Sequence, residues 1–223
     1  MQETTHQNKG WVYGAALLFA LNGGLINGVS ILSFLKHPVG YVTGNLTFLG
    51  MGVGAGAFQT AIGIFLLVAS FLLGSMISGF FIREAHYQKD YRYDIVLAIQ
   101  CVTVLIALAL LKHGSILSGY FLALTMGLQN AMTTHYGSAL VRTTHMTGTM
   151  TDLGLAISHR LKGYNVPAWK ILLYIMLIIG FTLGATASVV LFARLGVWAL
   201  GISAMFYASF CLVNLVGHCR KGG

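Results

Sequence analysis

The sequence predicts an all-α integral membrane protein with about six transmembrane helices. Residues of the hydrophobic set make up 57% of the 223 residues, and charged residues make up only 8%. A soluble domain has about a quarter of its residues charged, so this chain cannot build a water-facing surface. The net charge of +8 fits a membrane protein, because basic residues concentrate in cytoplasmic loops. We therefore expect a lipid bilayer around the chain and no nucleic-acid partner.

Six uncharged stretches approach the length of about 20 residues that a membrane-crossing helix needs. They cover residues 11–34, 60–82, 95–111, 116–133, 172–192 and 197–216. Two further stretches, 38–58 and 143–158, are rich in Gly and Thr and are compatible with either full crossings or re-entrant segments.

The basic residues favour six crossings. With a cytoplasmic N-terminus, six crossings leave Lys36, Lys112 and Arg194 outside and the other ten of the thirteen basic residues inside. Eight crossings change the split to seven against six. The positive-inside rule therefore predicts six crossings with both termini in the cytoplasm, while seven crossings remain an alternative.

The chain contains an internal repeat. Residues 41–50 (YVTGNLTFLG) align with residues 145–154 (HMTGTMTDLG) at an offset of 104. Upstream, 24–28 matches 127–131 at an offset of 103, and downstream 71–75 resembles 181–185 at an offset of 110. We interpret residues 1–223 as a single transmembrane domain of two repeats, repeat A (11–112) and repeat B (115–218), each ordered as helix, Gly/Thr segment, helix, helix. Three crossings is an odd number, which predicts inverted three-helix repeats of the kind found in many secondary transporters.

Four short motifs of repeat B carry a family resemblance: GLQN (127–130), RTT (142–144), TGT (147–149) and TDL (151–153). With these and the matching residues 24–32 and 42–45, the chain resembles the YoaK family, bacterial multi-pass membrane proteins classed as a domain of unknown function. The resemblance implies a helical fold in the bacterial inner membrane and names no substrate. Members of that family often have an acidic residue at the position of Asn27.

Each Thr-Gly pair is typical of a chain that turns and starts a short helix. Gly allows a sharp turn, Thr is a helix N-cap residue, and the first amides of a helix lack intrahelical acceptors. We therefore predict two re-entrant Thr-Gly half-helices whose N-termini bind the substrate; a purely structural break is the alternative. The predicted substrate-binding residues are Thr43, Gly44, Asn45, Thr147, Gly148 and Thr149, with Asn27 and Asn130 behind them.

Small and polar residues around these turns have two interpretations each. The faces formed by Thr43, Thr47, Gly50, Gly54 and by Thr147, Thr151, Gly154, Ser158 are typical of close helix packing or of a substrate path. The clusters Gly50-x-Gly52-x-Gly54-x-Gly56 and Gly180-x-x-x-Gly184 are predicted to be packing features. Asn27, Asn45, Gln129 and Asn130 each need a hydrogen-bond partner in apolar surroundings, which is either another helix or the substrate.

Asp152 is the candidate coupling residue. Among the acidic residues it is the one that lies outside the N-terminus and the loop between the second and third crossings, and an acid at membrane depth is usually paired or functional. The alternative is a surface acid that caps the helix or pairs with Arg142. Arg142 itself is compatible with attracting an anion or with a solvated loop position.

These patterns predict a secondary transporter, a carrier of a small polar or anionic solute, driven by a proton or solute gradient, with Asp152 as the candidate for proton coupling. A channel framed by the same half-helices is the first alternative. A membrane-embedded enzyme using Asp152 and His145 is the second. No cofactor is expected, because nucleotide-binding motifs are not recognisable, and no metal is expected, because His135 and His145 lack ligand spacing. The oligomeric state is open, a homodimer included.

Overall fold

The structure, a computed structural model, describes residues 9–82, 91–134 and 142–219. Arg83, Lys89, Arg220 and Lys221, which were assigned to the cytoplasmic side, and His135 lie outside these residues. Within them, the chain forms eight α-helices and a one-turn 3₁₀ helix. Their bounds are α1 Lys9–Leu32, α2 Val42–Gly54, α3 Phe58–Phe81, α4 Tyr91–Lys112, α5 Leu117–Thr134, α6 Met146–Leu161, α7 Ala168–Leu195, the 3₁₀ helix Gly196–Ala199 and α8 Leu200–Cys219.

Several of these helices are of membrane type. In the described part of the chain, four helical runs are long and apolar enough to cross a bilayer: Val12–Leu32, Phe58–Phe81, Tyr91–Lys112 and Ala168–Leu215. Their outer surfaces are apolar; along α3, for example, Phe65, Leu72 and Phe80 are exposed. A soluble protein rarely exposes so continuous an apolar surface. The predicted helical membrane protein is confirmed at this level.

The run Ala168–Leu215 contains two helices. Its 48 residues would span about 72 Å as one helix, far more than the ~30 Å hydrocarbon core of a bilayer. The chain breaks at Gly196, whose φ of +57° lies in the left-handed region that favours glycine. α7 and α8, of 28 and 20 residues, are therefore separate helices. α5, with 18 residues, is not among the four runs, so the count of six crossings stays a prediction.

The main helix contacts are made between the two halves of the chain. α1 packs along α7, and α3 packs along α5, so the first helix of each half contacts the third helix of the other. The last helices of the two halves, α4 and α8, pack on each other, while α2 lies on α3 and α6 on α7. The short helix α2 therefore lies against the pair formed by α3 and α5, and α6 lies against the pair formed by α1 and α7.

Glycines allow the two swapped pairs to approach closely. A Cβ atom at Gly24 of α1 would overlap the carbonyl oxygen of Phe181 in α7. At the equivalent position of the other pair, a Cβ atom at Gly127 of α5 would overlap the carbonyl oxygen of Phe71 in α3. Because no side chain fits at either crossing, backbone meets backbone there, as small residues permit in membrane helices.

The small-residue predictions have mixed outcomes. The Gly180/Gly184 cluster is a packing feature as predicted, since a Cβ atom at Gly180 would lie 2.5 Å from the Leu17 carbonyl oxygen of α1. The cluster in α2 is not. Among the described residues, nothing lies within 4 Å of a Cβ atom at Gly50 or Gly54, and only Gly52 contacts α3. The face of α2 that carries Thr47, Gly50 and Gly54 is exposed, so close packing within the chain does not explain it.

Candidate functional site: a cavity between α2 and α6

A cavity of about 700 Å³ lies where the two short helices begin. α2 contributes its N-cap residue and its first two residues, Tyr41 to Thr43, and α6 contributes the same three positions, His145 to Thr147. The segments that precede the helices touch each other, because a Cβ atom at Gly40 would lie 3.6 Å from the Cβ atom of Thr144. The two helix starts therefore share one cavity.

Two asparagines hold these starts in place. The backbone N–H of Gly40 donates to Asn27 Oδ1 at 2.8 Å, and the backbone N–H of Thr144 donates to Asn130 Oδ1 at 3.1 Å. A buried amide ahead of a helix has no intrahelical acceptor and is costly if left unpaired. Asn27 of α1 and Asn130 of α5, which are 103 positions apart in the repeat alignment, supply that acceptor in the same way.

Further hydrogen bonds hold the segment that precedes α6. Asn130 Nδ2 donates to Thr144 Oγ1 at 2.6 Å and to the Met126 carbonyl at 2.9 Å. Its neighbour Gln129 is fully buried, and its Nε2 donates to Thr143 Oγ1 at 2.7 Å. The loop before α6 is therefore held by two consecutive side chains of α5.

Gln129 also connects three helices. Its Nε2 donates to the Phe19 carbonyl of α1 at 3.0 Å. Its Oε1 accepts from Tyr207 Oη of α8 at 2.7 Å and from Asn22 Nδ2 of α1 at 3.3 Å. The side chain of Gln129 therefore bonds to other helices, which is one of the two roles predicted for it; the other was contact with the substrate. Repeat A has Ile26 at this position, so the network belongs to the α6 side alone.

Asn27 differs from Asn130 in one respect. The Gly40 N–H must meet an oxygen, which fixes the Asn27 amide orientation and leaves Nδ2 as a donor. Asn27 is only 8% exposed and lines the cavity. Its Nδ2 has no hydrogen-bond partner among the described residues, whereas Asn130 Nδ2 has two. A buried amide with an unused donor at a cavity wall needs an acceptor from the cavity's contents.

Aromatic rings cover the glycines of the two Thr-Gly pairs. The ring of Tyr41 occupies the space that a Cβ atom at Gly44 would need, and the ring of His145 occupies the same space at Gly148. Glycine is thus required by the ring three residues earlier. The prediction that Thr caps each helix after a Thr-Gly turn is wrong, because the N-cap residues are Tyr41 and His145 and both Thr-Gly pairs lie inside the first helical turn. Neither Tyr41 nor His145 caps its helix with a side-chain hydrogen bond. The positive ends of the α2 and α6 dipoles therefore face the cavity without a side-chain cap.

The predicted site residues divide into two groups. Four of them line the cavity: Asn27, Thr43, Asn130 and Thr147. Four others, Gly44, Asn45, Gly148 and Thr149, belong to the first turns of α2 and α6 but do not line it. Asn45 donates to the Pro38 carbonyl at 2.9 Å and faces a smaller cavity of about 370 Å³ between α2, α3 and α5.

Asp152 lies outside the cavity. It is exposed on the second turn of α6, within electrostatic range of Tyr174 in α7. No ion pair between Asp152 and Arg142 occurs in the described structure. Arg142 instead lines the cavity together with His145, and no carboxylate is among the described residues that line it.

Several residues of the cavity and one buried acid were not predicted from the sequence. Tyr41, Ser75, Phe71 and Phe181 line the cavity; the repeat alignment pairs Tyr41 with His145 and Phe71 with Phe181, which was the available signal. Asp94, assigned to a loop, lies in the first turn of α4 and is 5% exposed. That assignment is wrong because α4 begins four residues before the uncharged stretch.

Apolar outer surfaces, helix crossings at glycines and four helical runs long enough to cross a bilayer together indicate a helical protein of membrane type. The chain belongs to the family described as Protein of unknown function (DUF1275), whose sequence model matches residues 15–213. The predicted membership of a family of unknown function is thereby confirmed. No curated protein and no solved structure matches the chain.

Proposed function

We propose that the protein is a secondary carrier that moves a small polar or anionic solute across the bacterial inner membrane. The substrate would bind in the cavity between the starts of α2 and α6. The observation that carries the proposal is that equivalent positions of both halves line this single cavity: Asn27 with Asn130, and Thr43 with Thr147.

The proposed topology has six crossings and two half-helices. α1, α3, α4, α5, α7 and α8 cross the bilayer, and both termini are cytoplasmic. α2 and α6 have 13 and 16 residues, or about 20 and 24 Å, which is short for a core of ~30 Å. They enter from opposite sides as re-entrant segments. Irregular backbone at membrane depth is tolerated where it lines a cavity. In this proposal the segments before α2 and α6 lie at that depth and line the cavity.

Two inverted repeats suit a carrier because each half can open the shared site to one side of the membrane. The swapped contacts of α1 with α7 and of α3 with α5 support such a pair of equivalent units. Two helix N-termini and Arg142 make the cavity electropositive, which favours an anion. Asp152, one turn into α6, remains the proposed proton-coupling residue.

Flux in proteoliposomes tests the proposal. Purified protein is reconstituted, and uptake of labelled acetate, benzoate and phosphate is measured one at a time, with and without the same solute inside. A carrier gives saturable uptake that is stimulated by internal solute, whereas linear, unstimulated flux would favour the channel. Turnover of a solute without flux would favour an enzyme.

A matched pair of variants ties flux to the cavity. Thr147 lines the cavity, and Thr151 lies one turn further along the same exposed face of α6. We expect Thr147→Val to raise the KM for uptake severalfold and Thr151→Val to leave it unchanged. Equal effects of the two substitutions would argue against this cavity as the transport site.

A further inference from the structure

The charge of the cavity is confined to one repeat. Arg142 and His145 both line the cavity from the α6 side. In repeat A, 104 positions earlier, their places are taken by Pro38 and Tyr41, which also line the cavity and are not basic residues. Arg142 is therefore the permanent positive charge of this cavity within the described structure, and it balances one negative charge on a ligand.

The cavity also offers neutral donors. Asn27 lines the cavity with a side chain that is more than nine-tenths buried, and because its oxygen is used by the Gly40 N–H, Nδ2 is its remaining donor. The Thr43 and Thr147 hydroxyl groups lie at the two helix starts, where both residues are exposed to the cavity. These groups suit a ligand that carries acceptor oxygens.

Much of the remaining wall is apolar. Ile31, Val42, Phe71, Met146 and Phe181 line the cavity, with the two phenylalanines at equivalent positions of the two halves. A volume of about 700 Å³ lies within the ~300–1,000 Å³ of organic small-molecule sites. A strongly hydrated inorganic anion would lose water against these walls without replacement, which is unfavourable.

We infer that the cavity selects an organic monoanion, a carboxylate carried on an apolar body, with the carboxylate bound by Arg142 and the body against the apolar side chains. The inference rests on the proposed function for the location of the site. It assigns a substrate class that the proposed function leaves open, and it is tested by binding, which does not depend on transport.

Benzoate and its neutral analogue benzamide are the probes, because they share the aromatic body and differ in charge. Binding to the full-length protein in detergent is measured by titration calorimetry, with sodium sulfate as the inorganic anion. We expect benzoate to bind about tenfold or more tightly than benzamide, since Arg142 would pair with a carboxylate in benzoate and with a neutral carbonyl in benzamide. We expect benzoate also to bind more tightly than sulfate, because sulfate loses its hydration against the apolar wall. Equal binding of benzoate and benzamide, or tighter binding of sulfate, would overturn the inference.

Three variants locate the binding. Arg142→Gln should weaken benzoate binding about tenfold or more and leave benzamide binding unchanged, whereas Arg160→Gln, at the exposed far end of α6, should change neither. Asn27→Asp keeps the acceptor for the Gly40 N–H but places a carboxylate at the cavity wall, so benzoate binding should be lost while the melting temperature stays near that of the unmodified protein. Unchanged benzoate affinity in Arg142→Gln would refute the assignment.

The failure of this inference is distinguishable from failure of the carrier proposal. Benzoate binding that depends on Arg142, without any flux, would leave the ligand class standing and remove the carrier. Saturable uptake of another solute with which benzoate does not compete would keep the carrier and overturn the ligand class.

Discussion

Substitution of Gln129 by Leu tests whether the buried amide network stabilises the fold. Leu has nearly the same volume as Gln but makes none of the four hydrogen bonds. The Phe19 carbonyl and Thr143 hydroxyl lose a donor. Tyr207 Oη and Asn22 Nδ2 lose their acceptor, Gln129 Oε1. The Tyr207 side chain is fully buried, so its hydroxyl has no access to solvent.

The expected loss of stability is about 2–4 kcal/mol. Leaving a buried donor unpaired costs about 1–3 kcal/mol, and two donors, Tyr207 and Asn22, are affected. Interhelical hydrogen bonds in membrane proteins are often weaker, averaging about 0.6 and reaching about 1.7 kcal/mol. At that average the four lost bonds amount to about 2.4 kcal/mol, which sets the lower end of the range. Tyr207→Phe removes only one bond and strands no donor, so it should cost about 1 kcal/mol.

The double variant Gln129→Leu/Tyr207→Phe distinguishes stranded donors from general disruption. If the unpaired Tyr207 hydroxyl causes much of the loss, removing that hydroxyl should make the double variant at least as stable as Gln129→Leu alone. Equilibrium unfolding in detergent, followed by circular dichroism, measures all three, with the exposed Gln59→Leu as the control that should leave stability unchanged. Additive losses in the double variant would refute the reasoning.

Three further predictions concern topology, coupling and the Thr-Gly turns. Cys219 should react with membrane-impermeant thiol reagents only after cells are opened, while Cys101, whose thiol donates to a carbonyl of α8, resists labelling; reaction of Cys219 in intact cells would contradict cytoplasmic termini. Asp152→Asn should preserve expression and abolish the pH dependence of uptake, and an unchanged pH profile would exclude its coupling role. Gly44→Leu and Gly148→Leu should each abolish uptake, because the new side chain displaces the covering ring and disorders the cavity wall; loss from only one of them would mean that the two turns do not share a site.

The helices were predictable from the sequence to within a few residues. Long apolar runs bounded by charged or polar residues fix the extents of α1, α3 and α7, because only a helix satisfies its own backbone in lipid. The start of α4 was not predictable in this way. Asp94 is an acidic residue that interrupts the apolar pattern, yet it lies inside the helix and is buried. The type of a residue does not show whether its side chain lies on the buried or the exposed side of a helix.

The cavity was predictable in part. The Thr-Gly repeat located Thr43 and Thr147 near the helix starts, although both pairs lie inside the first helical turn rather than in the turn before it. It did not reveal the rings of Tyr41 and His145, since their position over Gly44 and Gly148 depends on side-chain rotamers rather than on residue type. The exposed position of Asp152 could not be predicted either. The sequence predicts the helix but not which of its faces packs against the rest of the protein.

The central claim, that the starts of α2 and α6 meet in one site, is tested most directly by a disulfide between them. A Cβ atom at Gly40 would lie 3.6 Å from that of Thr144 and no closer than 3.4 Å to any other atom, which matches the ~3.5–4.5 Å separation of Cβ atoms in a disulfide. In a chain whose native cysteines are replaced by serine, Gly40→Cys/Thr144→Cys should cross-link under mild oxidation. A protease site inserted within residues 83–90, between α3 and α4, reveals the link, because the two fragments then stay joined until reduced.

The matched control is Gly50→Cys/Gly154→Cys, a pair with the same offset of 104 whose Cβ atoms would have no neighbour within 4 Å in the described structure. We expect rapid cross-linking of the 40/144 pair, none of the 50/154 pair, and uptake that is blocked by the cross-link and restored by dithiothreitol. Absence of the 40/144 cross-link, in a variant that melts like the unmodified protein, would contradict the account.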